Sequence, residues 1–333
     1  LKVGIFTISL DFELHWGGFE KWDLPLYKQY FLNTRKVIPQ MLSLFEDHHV
    51  HVTWASVGML FHESIGTLNS AIPDHKPSYQ DQQLSAYRYI QNQGIGKDEQ
   101  EDPFHYAASL VKDILKTPYQ ELGSHTFAHY YCNEAGQTVE QFRADLRAAQ
   151  QSAALYGKKL RSLVFPRNQF NEDYLRVCYE EGFVTVRDNP RDWFWNIRST
   201  QNESMLKRLN RGADAYIPIG KKNTYTLNTI EVRTGLPLCL PASRLLRPYR
   251  PSEYFLNTVK VNRIKNELER AAKRGEIYHL WWHPHNFGSF PEQSLDGLKE
   301  ILKHFDHCRN RYAMESLTMG ETADRIYQRH EKN

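Results

Sequence analysis

Two histidines, His125 and His129, stand four residues apart in the stretch GSHTFAHYY. Imidazoles are common metal ligands, and on a helix positions i and i+4 share a face, so both rings could reach one ion. Two surface histidines would look the same in a chain that carries 15 of them, and a metal site needs at least one more ligand. Four further polar clusters offer candidates. Asp11 and Glu13 end an apolar run, Arg167 follows VFP, Arg187 adjoins Asp188, and His283 and His285 flank a proline in LWWHPHNFG. Each has a plain reading too: a solvated edge, a surface arginine, an Arg187–Asp188 pair, a histidine bonded to backbone. Their common position at or just beyond predicted strand ends is the stronger signal, because barrel sites are built there.

The elements that would hold these residues follow from periodicity. Gly4, Phe6, Ile8, Leu10 and Phe12 alternate with Ile5, Thr7, Ser9, Asp11 and Glu13. The first set suits a face under helices, and the second shrinks and turns polar toward a site at the strand's carboxyl end. A helix is predicted around TRKVIPQMLSLFEDHH, then a strand in VHVTWASVGML. Helix–strand units recur through QELGSH, SLVFP, FVTVRD and EIYHLWWHPH. Such repetition predicts one α/β domain over residues 1–333, an irregular (β/α) barrel, with excursions near 62–103 and 189–251. The first excursion is expected to lie over one end of the barrel.

Composition narrows the class. The 333 residues are 41% hydrophobic and 24% charged, as in ordinary globular proteins, and no run of about 18 apolar residues could span a bilayer. A net charge of +3 gives no case for nucleic acid. The four cysteines form no CxxC pair and predict buried thiols in a reducing compartment. With no signal-peptide pattern at its start, the chain is expected in the cytoplasm. Aromatic residues make up 13%, including seven tryptophans, a weak pointer to carbohydrate. Between Arg187 and Arg250 lie twelve Lys or Arg against five Asp or Glu. A solvated basic face accounts for this; the functional alternative is arginines that grip a phosphate on the substrate.

Taken in order, these segments resemble the polysaccharide deacetylase, or NodB-homology, family of metal-dependent sugar N-deacetylases on an irregular (β/α) barrel. Asp11 opens a segment similar to the family's acidic motif, and VTWASVG resembles its second strand. HTFAH is similar to its paired-histidine motif, FPRNQF to its arginine motif, LWWHPHNF to its terminal histidine motif, and SLTMGETA to the segment that follows. The usual acidic motif has two adjacent aspartates; Phe12 takes the second place here, and DFE resembles a D-x-E variant.

The resemblance implies hydrolysis of an N-acetyl group on an amino sugar, in the assembly of a bacterial surface glycan. Amide hydrolysis needs an activated water, a stabilised oxyanion and a proton for the departing amine. Expected metal ligands are Glu13, His125 and His129. Zinc is the first choice of divalent ion, although cobalt, nickel and iron suit such ligands too. Asp11 is expected as base, with Arg167 keeping it ionised, and His283 as acid with His285 its competitor. Glu13 takes the metal because it lies nearer the mouth and reaches further than Asp11. Expected substrate contacts are Trp16, Asn168, Arg187, Asp188, His285 and Asn286. The rival expectations are an inactive carbohydrate-binding barrel, and a deformylase or small-amide hydrolase on the same site.

Overall fold

The alternation at the start of the chain folds as read, into a fully buried strand β1 (Ile5–Phe12). The structure, a computed structural model, describes residues 3–190, 192–195, 205–216, 220 and 223–331. Eight more strands follow: β2 (Val52–Ser56), β3 (Gln120–Ser124), β4 (Ser162–Leu163), β5 (Thr185–Asp188), β6 (Leu238–Pro241), β7 (Arg244–Leu245), β8 (Ile277–Trp282) and β9 (Glu315–Ser316). The sheet order is β6-β5-β4-β3-β2-β1-β8-β7, with β9 also on β1, and the pairings are parallel.

Only Ala242 and Ser243 separate β6 from β7, although these strands stand at opposite ends of that order. Ala242 N–H donates to Asp188 O at 2.9 Å and Ser243 N–H to His279 O at 2.8 Å. One extended segment therefore leaves β5 and joins β8, which curls the sheet into the irregular barrel expected from the sequence. Parallel neighbours need crossover connections, and helices supply them. In chain order these are α1 (Leu24–Asp47), α2 (Ile65–Ala71), α3 (Ala86–Gln93), α4 (Ala108–Lys116) and α5 (Val139–Ala154). Then come α6 (Glu172–Glu180), α7 (Met205–Ala213), α8 (Tyr254–Arg274), α9 (Pro291–Tyr312) and α10 (Met319–His330). Among the described residues no helix is long and apolar enough to cross a membrane.

The two faces of β1 do different work. Phe6, Ile8, Leu10 and Phe12 pack with Phe31, Met41 and Phe45 of α1 and with Leu298, Leu302 and Phe305 of α9. The inward face is layered along the barrel axis. Ile5 packs with Met319, Ala323 and Ile326 of α10, and Thr7 Oγ1 meets Thr322 Oγ1 at 3.3 Å. Above them Ser9 bonds His279 at 2.9 Å. An apolar plug at one end thus gives way to polar side chains at the other, where strand carboxyl ends collect functional groups.

The first excursion, near 62–103, contributes α2 and α3. The second, near 189–251, contributes α7 and the closing segment β6–β7. Of its basic residues, Arg191, Arg198, Lys221 and Lys222 lie outside the described residues, as do the side chains of Arg208 and Arg211.

Candidate functional site

Past the end of β1, the inward alternation brings Asp11 and Glu13 to the polar end of the barrel, both buried. Arg187, inward on β5, grips Asp11 with both arms: Nη1 to Oδ1 at 2.5 Å and Nη2 to Oδ2 at 2.7 Å. The same guanidinium donates to Ser9 Oγ at 3.1 Å and Asn168 Oδ1 at 3.2 Å, and lies 4.2 Å over the Trp281 ring. Burial would push the Asp11 carboxyl up, but the charge and hydrogen bonds of Arg187, together with the His283 and His125 imidazoles, outweigh it and hold the carboxyl below its ordinary value.

The expected Arg167–Asp11 contact is therefore not made. Arg167 sits in the turn after β4 at φ +54°, and its guanidinium goes instead to Glu20 and Glu134, stacked 4.0 Å over the Tyr131 ring. Arg187, read from the sequence as a substrate contact, occupies the place expected of Arg167. The sequence signal was there: in VTVRD, Arg187 shares the inward face with Thr185, while Asp188 falls on the other face beside Cys239. The Arg187–Asp188 pair considered from the sequence is excluded by that alternation.

His125 and His129 do meet, but not on a helix. The chain leaves β3 into a loop in which Thr126 and His129 have φ of +63° and +54°. That conformation is uncommon for residues other than glycine. The loop is held from several sides. His125 N–H extends the sheet to Ser56 O at 2.8 Å, and Tyr130 N–H reaches Thr126 Oγ1 at 2.7 Å. Between the two histidines, the N–H groups of Phe127 and Ala128 both donate to the buried carboxyl of Asp145 on α5, at 2.6 and 3.1 Å. Burial pushes that carboxyl up to about 7, against the pull of the two N–H groups. Asp145→Ala would strand two buried donors, each costing about 1–3 kcal/mol. We expect it to lower the denaturation midpoint by far more than a surface substitution, and an unchanged midpoint would contradict this role.

Glu13 Oε1 lies 2.8 Å from His125 Nε2 and 3.3 Å from His129 Nε2. These three side chains form a group whose ligand atoms all lie within 4.8 Å of one another. The residues fit a divalent cation on two counts. Neither ring nitrogen of buried His125 has a hydrogen-bond partner, so its Nε2 is close to Glu13 in a geometry that makes no hydrogen bond. His129 uses Nδ1 to meet the Tyr131 hydroxyl at 2.9 Å, the outer contact that fixes a ligating ring. Burial also lowers the pKa of His129, favouring the neutral ring that binds metal. Burial would raise Glu13, but the imidazoles of His283, His125 and His129 hold its carboxyl well below the ordinary range. A Cβ on Gly17 would stand 1.8 Å from Glu13 Oε2, so glycine there leaves Glu13 its room.

His283 faces this pair of carboxylates, with Nε2 3.6 Å from both Asp11 Oδ2 and Glu13 Oε1. Its side chain is 26% exposed, against 4% for each carboxylate, so it is the member of the cluster that solvent reaches most easily. His285 is buried in an aromatic nest of Trp22, Tyr30 and Phe31, with Nδ1 3.9 Å from Glu13 Oε2. Burial, then repulsion from His283, pushes its pKa down to about 3. Trp16 does not serve as an open substrate platform: it is buried, bonded through Nε1 to His105 O at 3.0 Å. Asn168 stays beside the site through Arg187, and Asn286 donates its backbone N–H to His283 O at 2.9 Å. In the basic stretch, Arg244 is buried against Asp214 and Glu267, so neither it nor Arg187 is available to grip a phosphate.

Residues 28–186 match a family model described as polysaccharide deacetylase. No curated protein matches the sequence. Solved structures of the same fold include a protein from Mycobacterium smegmatis taken to be a polysaccharide deacetylase. It is 12% identical, with 99% of this chain and 92% of that one covered and a TM-score of 0.61. A second, from Pseudomonas aeruginosa PAO1 and assigned the same activity, is 11% identical over 99% and 92%, with a TM-score of 0.57. Puue Allantoinase is 11% identical over 100% and 93%, with a TM-score of 0.58. At these identities the likeness to solved structures is one of fold.

Proposed function

We propose that this chain, which belongs to the polysaccharide deacetylase family, is a metal-dependent hydrolase that removes the acetyl group from an N-acetylated amino sugar. The sugar would be part of a bacterial surface glycan or of its precursor. The observation that carries the reading is the meeting of Glu13, His125 and His129 beside an Asp11 carboxylate held by Arg187. Those three residues would hold a divalent ion, zinc in the first instance. Such an ion polarises a carbonyl and lowers the pKa of water.

The chain's own residues account for the proton movements. Asp11, ionised against Arg187, accepts the proton of the water whose oxygen attacks the acetyl carbonyl carbon. His283, on the opposite wall and open to solvent, donates a proton to the sugar nitrogen as the carbon–nitrogen bond breaks. Acetate and a free amine leave. The barrel wall of Trp281, Arg187 and His285 keeps the carboxylates out of bulk water, where their electrostatic effects would be weaker.

Two measurements test this. Incubation with a set of N-acetylated hexosamines, free and glycan-linked, should yield acetate and an equal amount of amine by mass spectrometry. Activity confined to N-formyl sugars or small cyclic amides would replace the proposed substrate. His283→Ala should lower kcat by roughly 10²–10⁴-fold, the range for a lost general acid, with little change in KM. A larger kcat loss in His285→Ala would move the acid role there.

A further inference from the structure

The loop after β1 touches the Glu13–His125–His129 group at two points. Glu13 opens it, and Gly17 packs so closely that a Cβ there would stand 1.8 Å from Glu13 Oε2. Further along, Glu20 pairs with Arg167, Arg167 stacks on Tyr131, and the Tyr131 hydroxyl meets His129 Nδ1. The loop does not hold its own shape. Leu14, next to Glu13, has a φ of +47°, a conformation that persists in a residue other than glycine only where the surroundings impose it.

The surroundings that impose it belong to the far end of the first excursion and the residues just after it. His15 N–H donates to Phe104 O at 3.3 Å, and the Trp16 indole N–H donates to His105 O at 3.0 Å. A third tie runs through side chains. His15 Nε2 donates to Trp22 O at 3.0 Å, His15 Nδ1 lies 2.9 Å from His105 Nε2, and His105 Nδ1 donates to Asp102 Oδ2 at 2.7 Å. All three side chains are buried. Gly96 N–H and Phe104 N–H also donate to the Asp102 carboxylate, at 2.9 and 3.2 Å. A continuous chain of bonds thus joins the backbone at Gly96 and Phe104 to both sides of the loop turn at His15 and Trp22.

We infer that His105 and Asp102 are positioning residues for the metal group. Through His15 they clamp the loop that presents Glu13, so that the first excursion takes part in metal binding. A buried imidazole bonded at both nitrogens has one orientation, and moving the loop would strand those nitrogens away from water. The inference rests on the proposed metal site and is independent of the sugar.

The two ring nitrogens of His105 can be replaced one at a time. His105→Asn keeps a donor near the Nδ1 position for Asp102 and loses the reach to His15. His105→Gln keeps an amide near the Nε2 position for His15 and gives up Asp102. Zinc affinity is read by competition with a chromophoric chelator, and stability by the denaturation midpoint of the metal-free proteins. His105→Asn should bind zinc roughly 10–100-fold more weakly than wild type, the range for a lost outer partner, while His105→Gln should stay within about threefold. His105→Gln should nonetheless show a lowered metal-free midpoint, because the buried Asp102 carboxylate has lost its side-chain donor. Equal zinc affinity in all three proteins would overturn the inference. So would a loss in His105→Gln as large as that in His105→Asn, the pattern of a residue that supports the fold alone.

Wild-type protein supplies a check that needs no substitution, because coupling between metal and clamp is reciprocal. One equivalent of zinc should slow amide hydrogen exchange at Gly96 and Phe104 more than at Glu321, on α10 at the opposite end of the barrel. Equal slowing at all three would overturn the clamp. Wild-type protein that takes up no zinc would instead remove the metal site, and the clamp's role with it.

Discussion

Asp11→Ala protein should purify with its metal and lose nearly all turnover, whereas Glu13→Ala protein should purify metal-poor. The difference follows from two carboxylates two residues apart. Glu13 Oε1 lies within 3.3 Å of both His125 and His129 nitrogens, while Asp11 spends both oxygens on Arg187. Removing Asp11 leaves the two imidazoles and Glu13 in place. A general base contributes roughly 10²–10⁴ in rate, so kcat should fall by at least that much. Removing Glu13 takes away the only carboxylate of the Glu13–His125–His129 group. Metal analysis of the two purified variants decides the matter, and the opposite pattern, metal lost with Asp11 and kept without Glu13, would reverse the assignment.

Arg187→Ala should be the most damaging change outside the metal group, for stability and for pH dependence together. It leaves the Asp11 carboxylate buried without its cation, and removing one partner of a buried pair costs about 3–5 kcal/mol. The sign of the pH effect is fixed by the direction of the shift. Asp11 titrates below its ordinary value because Arg187, helped by the nearby imidazoles of His283 and His125, outweighs burial. The pair therefore stabilises the fold above the unfolded aspartate pKa of about 3.9, and that stability is lost as pH falls through the lowered folded value. Without Arg187, burial dominates and the carboxyl moves up, so the acid limb of activity should shift to higher pH. Arg187→Lys should recover part of the stability, because an ammonium keeps the charge but not the two-pronged geometry. An acid limb unmoved in Arg187→Ala would mean that Asp11 is not the group whose ionisation the reaction needs.

The chain displayed its fold more openly than its contacts. β1 was legible because a period of two needs no tertiary information: Phe6 to Phe12 pack under α1 and α9, and Ile5 to Asp11 face inward, as the alternation reads. The grouping of Glu13 with His125 and His129 was also legible, from residue type and spacing. The conformation that joins the histidines was not. An i, i+4 spacing reads as one helical turn, and nothing in Thr126 or His129 announces positive φ, since neither is glycine. What holds that loop is Asp145, 17 and 18 residues further on, a contact that spacing does not encode.

The arginine was misplaced for a related reason. Arg167 follows a strand and sits in a segment resembling the family's arginine motif, so it drew the role; the decisive contact crosses the barrel from β5 to β1, between residues 176 apart. Trp16 failed as a substrate contact because proximity in sequence to Asp11 and Glu13 does not set exposure. Its indole is fully enclosed beside His105 and Tyr89.

The most direct measurement of the central claim is acetate release from the accepted N-acetylated sugar by wild-type protein before and after its metal is removed with a chelator. The account predicts that the stripped protein is inactive and that one equivalent of zinc or cobalt per chain restores the rate. It also predicts that His125→Ala protein, matched for folding by circular dichroism, neither holds that equivalent nor recovers. Stripped protein that releases acetate as fast as the original would contradict the account, as would His125→Ala protein restored by the same single equivalent.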